Sequence, residues 1–158
     1  MRQFLRLYEL RKTLSEAITK AVLGNHPHQH CLSKKKLSQV ETQLQACESS
    51  IHNALNFEEL YAIVARSVRP PFKHANLLVY DLSLRIGAYK KFRPTYVYIH
   101  SGALVGAQYV LNTKRIPFRI QVSDLPAKFA ALDPHEIEDC LCRYKDDLKT
   151  LRLLGALP

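Results

Sequence analysis

The sequence lacks any long apolar run. No stretch approaches the roughly 20 apolar residues that a transmembrane helix needs. The first twelve residues, MRQFLRLYELRK, carry five charged side chains and therefore do not have the apolar core of a signal peptide. We expect a soluble cytoplasmic chain that has no membrane partner.

Cysteine is scarce and irregularly placed. The four cysteines are Cys31, Cys47, Cys140 and Cys142. One C-x-C pair and two scattered residues fit neither a disulfide framework nor a zinc ribbon. We interpret them as reduced thiols and predict no cofactor.

Carboxylates are nearly missing from the middle of the chain. Residues 71–123 hold eight Lys and Arg but a single carboxylate, Asp81, which gives a net charge of +7. Residues 1–70 carry +4 and residues 124–158 carry −2, which makes +9 in all. Because a concentrated positive charge attracts polyanions, we expect DNA or RNA as a partner. The alternative is a charge that serves solubility alone.

The length of 158 residues and the apolar fraction of 47% suit one domain with a core of its own. Apolar residues recur at steps of three and four and predict about six helices. Their ranges are 3–23, about 34–55, 57–68, 76–91, 101–111 and 134–153. We predict a mainly α fold, a single compact orthogonal helical domain over 1–158. Its parts are a helical hairpin (3–55), a core (56–112), and a loop with the C-terminal helix (113–158).

Several local signals refine this prediction. Asn56 with Glu59, and the run Asp133-Pro134-His135-Glu136, are typical of helix starts. Gly102 and Gly106 lie four residues apart, which predicts close packing of another backbone on that helix. At most one short β element is expected. Residues 95–99 favour an extended lead-in to the fifth helix, and the alternation over 118–122 could form a short strand.

The pattern Val79-x-Asp81-x-x-x-Arg85-Ile86 resembles the segment that follows the hairpin in helix-hairpin-helix DNA glycosylases. The resemblance covers about residues 57–92. It implies that the basic loop 69–74 touches DNA phosphates and that Asp81 matches the catalytic aspartate that supports loss of a base. The alternative for Asp81 is a local ion pair with Arg85, one helical turn away, which is weak when exposed.

Five cations are the candidates for phosphate contacts: Arg69, Lys73, Lys90, Lys91 and Arg93. Aromatic residues interleave with the last three and continue to Tyr98. If these rings are exposed, they could stack on bases as in proteins that bind single strands. If they are buried, they would belong to the core. Ser101 and Gly102 open a predicted helix whose backbone amides suit an anion. The alternative there is a serine N-cap beside a buried His100.

A histidine cluster is the candidate metal site. His26, His28 and His30, with Cys31, could bind zinc or a late transition metal, and His100 and His135 could complete such a site. The spacing matches no established structural zinc motif. We therefore favour no metal site and interpret the segment as a turn between two helices.

Three functions stay open. A nucleic-acid binder that uses the basic central segment is favoured. The second is a degenerate glycosylase-like or lyase-like enzyme that uses Asp81. The third is a non-enzymatic protein-interaction module or accessory subunit, which a large exposed apolar patch on the first or last helix would favour.

Overall fold

The structure is a computed structural model that describes residues 2–24, 26, 29, 32–68 and 75–157. Within these residues it has nine α-helices and one two-stranded ribbon, so the mainly α prediction is confirmed. The chain divides into two compact units, an N-terminal unit of residues 1–93 and a C-terminal unit of residues 94–158. That boundary falls inside the predicted core segment 56–112. The single-domain interpretation stays a prediction.

The N-terminal unit is built around one buried helix. Its helices are α1 (Arg2–Glu9), α2 (Leu14–Leu23), α3 (Lys34–Ala46), α4 (Glu48–Asn53), α5 (Phe57–Ser67) and α6 (Ala75–Tyr89). Helix α6 packs against α1, α2 and α5. All residues from Leu78 to Ala88 are buried. This follows from the sequence of α6, which has apolar residues on every side of the helix.

Two predicted long helices are each split in the structure. The predicted helix 3–23 is α1 and α2, because Thr13 begins a new helix: its side chain accepts a hydrogen bond from the Glu16 amide at 3.1 Å. The predicted helix 34–55 is α3 and α4, which are separated at Cys47. The predicted helix starts at Ser33 and Asn56 are confirmed, since both side chains cap the helix that follows.

The C-terminal unit packs three helices and a ribbon around an apolar core. Its elements are β1 (Val97–Tyr98), α7 (Ser101–Leu111), β2 (Arg119–Ile120), α8 (Pro134–Arg143) and α9 (Lys145–Leu153). Two short 3₁₀ turns, Val122–Asp124 and Ala127–Phe129, connect β2 to α8. The core residues are Val97, Ile99, Ala103, Ala107, Val110, Ile120, Leu125, Ile137 and Leu141.

The prediction that residues 95–99 are an extended segment rather than a strand is wrong in part, because two of these residues pair with a second strand. β1 pairs antiparallel with β2, with Val97 opposite Ile120 and Tyr98 opposite Arg119. The predicted start of α8 is confirmed, since Asp133 and Glu136 form a capping box around Pro134. The predicted last helix, in contrast, is interrupted at Tyr144.

Close packing at the two glycines of α7 is confirmed. A Cβ built on Gly106 would lie 2.1 Å from the carbonyl oxygen of Leu141 in α8. A Cβ on Gly102 would lie 2.6 Å from the Cys142 sulfur. Only glycine lets α7 approach α8 this closely.

No helix in the described part of the chain is long and apolar enough to cross a membrane.

Candidate functional site

Asp81 and Arg85 form an ion pair inside the N-terminal unit. Arg85 is 1% exposed and Asp81 is 9% exposed. One guanidinium nitrogen of Arg85 lies 3.4 Å from Asp81 Oδ2. Another donates a 2.7 Å hydrogen bond to the carbonyl of Ala21 near the end of α2. The pair expected on a helix surface is therefore buried, and its cation also caps a helix C-terminus, where positive charge is favourable.

Three further polar side chains belong to the surroundings of this pair. His26 Nδ1 lies 3.9 Å from Asp81 Oδ2, and Gln29 donates to the same Ala21 carbonyl at 3.1 Å. Burial raises the pKa of the Tyr8 phenol, against the lowering effect of Arg85. Burial likewise lowers the pKa of Arg85, while Asp81 opposes that shift.

These contacts give Asp81 a structural role. A buried carboxylate needs a partner, and the guanidinium beside it supplies one. A general base or a stabiliser of a developing cation would instead have to reach a substrate. The catalytic role of Asp81 stays a prediction, and the geometry accounts for Asp81 without it.

The ammonium group of Lys90 forms hydrogen bonds within the N-terminal unit. It donates to the carbonyls of Ile51 at 2.9 Å and Ala54 at 2.8 Å, and also to that of His52. These carbonyls end α4, so Lys90 closes its C-terminus. Burial lowers the pKa of Lys90. An ammonium group has three donors, and here all three serve α4. The fold therefore accounts for Lys90 without a phosphate, and its phosphate contact stays a prediction.

The other four predicted phosphate contacts differ in what the structure shows of them. Lys91 is exposed. Arg93 forms a 2.6 Å ion pair with Glu9 of α1, and about a third of each side chain is exposed. Arg69 and Lys73, with the rest of the basic loop, lie outside the described residues.

Charge is unequal between the units. Residues 1–93 contain 15 Lys and Arg against 7 Asp and Glu, whereas residues 94–158 contain 8 against 7. Eight cations of the described N-terminal unit are exposed: Arg6, Lys12, Lys20, Lys34, Lys35, Lys36, Arg66 and Lys91.

The exposed carboxylates of the same unit are held locally. Glu9 pairs with Arg93. Glu16 accepts from the amide of Lys12, and Glu59 from the amide of Leu55, both at helix starts. Among the described residues of this unit, eight cations but only three carboxylates are exposed.

In the C-terminal unit, the start of α7 carries a buried His100. Its Nε2 lies 3.0 Å from Glu138 Oε1, and both residues are 6% exposed. His100, not Ser101, is the N-cap residue, and Ser101 is exposed. Gly102 lies against Cys142. The contact with Glu138 gives His100 a structural role, and the packing against Cys142 does so for Gly102. Anion binding at Ser101 stays a prediction.

One group of possible metal ligands is found among the described residues. Ligand atoms of Asp133, His135 and Glu136 lie within 4.8 Å of one another. Asp133 and Glu136 are also the two members of the capping box of α8, which explains their proximity. Of the predicted histidine site, His26 lies beside Asp81, while His28, His30 and Cys31 are outside the described residues.

The aromatic residues between 92 and 98 divide between core and surface. Tyr98 is buried, whereas Phe92 and Tyr96 are half-buried. Phe92 lies under the Lys90 ammonium at 4.8 Å, which supports its structural role. Tyr96 is thus the aromatic residue of this group best placed for a ligand.

Comparison of this chain with protein-family models, with curated proteins and with solved structures found no match. The resemblance to helix-hairpin-helix glycosylases therefore stays a prediction. The structure describes the two helices on either side of the corresponding loop, α5 and α6, and not the loop itself.

Proposed function

We propose that this chain binds nucleic acid, chiefly by neutralising phosphates with exposed cations of its N-terminal unit. The supporting observation is the contrast between eight exposed cations and three exposed carboxylates, which lie in helix caps or in an ion pair, among the described residues of this unit. Such a surface releases counterions from a nucleic acid on binding and requires no base-specific contact.

Three cations carry the proposal best. Lys34 and Lys35 lie in the first turn of α3, where their charge is unfavourable next to the helix dipole. A bound phosphate would offset this cost, since helix N-termini favour anions. Lys91 follows α6 and is exposed, in contrast to its neighbour Lys90.

Two variants with equal net charge test this proposal. The first is Lys34→Gln, Lys35→Gln and Lys91→Gln. The control removes three cations of the C-terminal unit, by Arg143→Gln, Lys145→Gln and Lys149→Gln.

Binding of a fluorescein-labelled 20-base-pair duplex is followed by anisotropy at low salt. We expect the first variant to bind at least tenfold more weakly than the control. Equal loss in both variants would show that only net charge matters. Unchanged affinity in the first variant would contradict the proposal.

A second candidate function is a protein-interaction module, because both terminal helices expose leucines. Leu7 of α1 and Leu10 directly after it are 48% and 75% exposed, and Leu153 and Leu154 at the end of α9 are 78% and 75% exposed. Exposed apolar groups of this kind favour a protein partner. Light scattering of the purified chain tests self-association, and Leu153→Ser with Leu154→Ser should abolish it. A concentration-independent monomer would exclude self-association.

A further inference from the structure

The ribbon of the C-terminal unit has one face turned into the core and one face turned outward. Val97 and Ile120 lie opposite each other and are 0% and 4% exposed. Because side chains alternate along a strand, the opposite face carries Tyr98 and Arg119 and, one position further, Tyr96. Tyr98 is only 1% exposed, and the ring of Phe118 meets its ring edge-on with the centroids 5.6 Å apart. The solvent-accessible part of this face is therefore Arg119 and Tyr96.

Arg119 and Tyr96 form a cation–π contact on this outer face. The guanidinium carbon of Arg119 lies 4.9 Å from the centre of the Tyr96 ring. Arg119 is exposed and Tyr96 is half-buried. Guanidinium planes and tyrosine rings are the groups on which unpaired bases stack.

A shallow depression of about 380 Å³ adjoins this pair. Thr95, Tyr96, Gln121, Val122 and Ser123 line it. Besides the Tyr96 ring, three of the other four side chains carry a hydroxyl or an amide group. These groups can donate to and accept from the polar edge of a base.

The segment around the ribbon is also positively charged. Residues 94–128 contain four cations, Lys114, Arg115, Arg119 and Lys128, all of them exposed. The single carboxylate in this range, Asp124, accepts a 2.8 Å hydrogen bond from the Gln121 amide in a turn. Arg119 lies on the outer face itself, and the other three cations belong to the same positively charged segment, which suits a phosphate backbone.

We propose that this outer face binds a base of single-stranded nucleic acid, stacked on Tyr96 and flanked by Arg119. The proposal rests on the proposed function and adds a preference for single strands to it. In a duplex each base is covered by its neighbours, so its face is closed to a protein ring. An unpaired base exposes that face and its hydrogen-bonding edge.

The test compares Tyr96→Ala with Tyr96→Phe, which keeps the ring. The control is Tyr144→Ala, which removes an exposed tyrosine of the same unit. Anisotropy is measured with a labelled 15-base oligothymidylate and with a duplex of the same length. We expect Tyr96→Ala to weaken single-strand binding about tenfold, in line with the loss of one stacked base. Tyr96→Phe and Tyr144→Ala should stay within about twofold of the unmodified chain, as should duplex binding by all variants.

Photo-crosslinking gives a readout that does not depend on a variant's stability. An oligonucleotide with 5-iodouracil should crosslink to the peptide that contains Tyr96. Crosslinks confined to other peptides would overturn the proposal, as would equal single-strand binding by Tyr96→Ala. Equal losses on single strand and duplex would overturn it too, while leaving the proposed function intact. Absence of all binding would overturn both.

Discussion

Gly106→Ala should strongly destabilise the C-terminal unit. The added Cβ would lie 2.1 Å from the Leu141 carbonyl oxygen and 2.8 Å from its carbonyl carbon. Both atoms are backbone, so α7 and α8 must separate. Overpacking costs about 1–3 kcal/mol, occasionally more, and a contact with backbone belongs at the upper end. Alanine regains about 1 kcal/mol of helix propensity. We expect a net loss of about 2 kcal/mol in the free energy of unfolding.

Gly102→Ala is the matched control, because its obstacle is a side chain. The Cβ would lie 2.6 Å from the Cys142 sulfur, and Cys142→Ala removes that atom. Urea unfolding followed by circular dichroism should show that Cys142→Ala offsets part of the cost of Gly102→Ala, as a double-mutant cycle measures. It should not rescue Gly106→Ala. A Gly106→Ala variant within about 0.5 kcal/mol of the unmodified chain would refute the packing argument.

Three further predictions concern the N-terminal unit. Lys90→Met should lower the free energy of unfolding in urea by about 1–3 kcal/mol, because three α4 carbonyls lose their donor. Lys91→Met should lower it little. Equal losses in the two variants would contradict the capping role. Arg85→Met should cost about 3–5 kcal/mol by leaving Asp81 buried and unpaired, and adding Asp81→Asn should recover part of that loss; simple additivity of the two costs would exclude the coupling. Since burial raises the pKa of Tyr8, the unfolded chain loses this proton first on raising the pH, so stability should fall above the usual tyrosine pKa. Tyr8→Phe should lessen that fall in unfolding experiments at alkaline pH, and an unchanged pH profile would argue against it.

Helix starts could be predicted from the sequence because their chemistry is local. Asp133 and Glu136 bond to each other's backbone amides. At α5, the Asn56 side chain accepts from the Glu59 amide, and the Glu59 carboxylate accepts from the Leu55 amide. The same signal was present at Thr13 with Glu16 and would have located the start of α2. The breaks at Cys47 and Tyr144 carry no glycine or proline, so local pattern gave no sign of them.

The fate of each cation could not be predicted from charge counts. Lys90 and Lys91 are adjacent, yet one closes α4 and the other is exposed. Which of the two lysines can reach the carbonyl groups at the end of α4 depends on the tertiary position of that helix end. The burial of Arg85 did have a signal, because apolar residues lie on every side of α6.

The ribbon depended on pairing between distant segments. Tyr98 and Arg119 face each other across 20 intervening residues, and each strand spans only two residues. Neither segment alone favours a strand strongly enough to predict the pair. The juxtaposition of Tyr96 and Arg119 therefore emerged only from the structure.

The salt dependence of single-strand binding tests the central claim most directly. The association constant for a labelled 15-base oligothymidylate is measured from low to moderate salt. If three or more phosphates are neutralised, the plot of log K against log salt should fall with a slope of about −2 or steeper. A flat plot, or no binding at low salt, would contradict nucleic-acid binding by this chain.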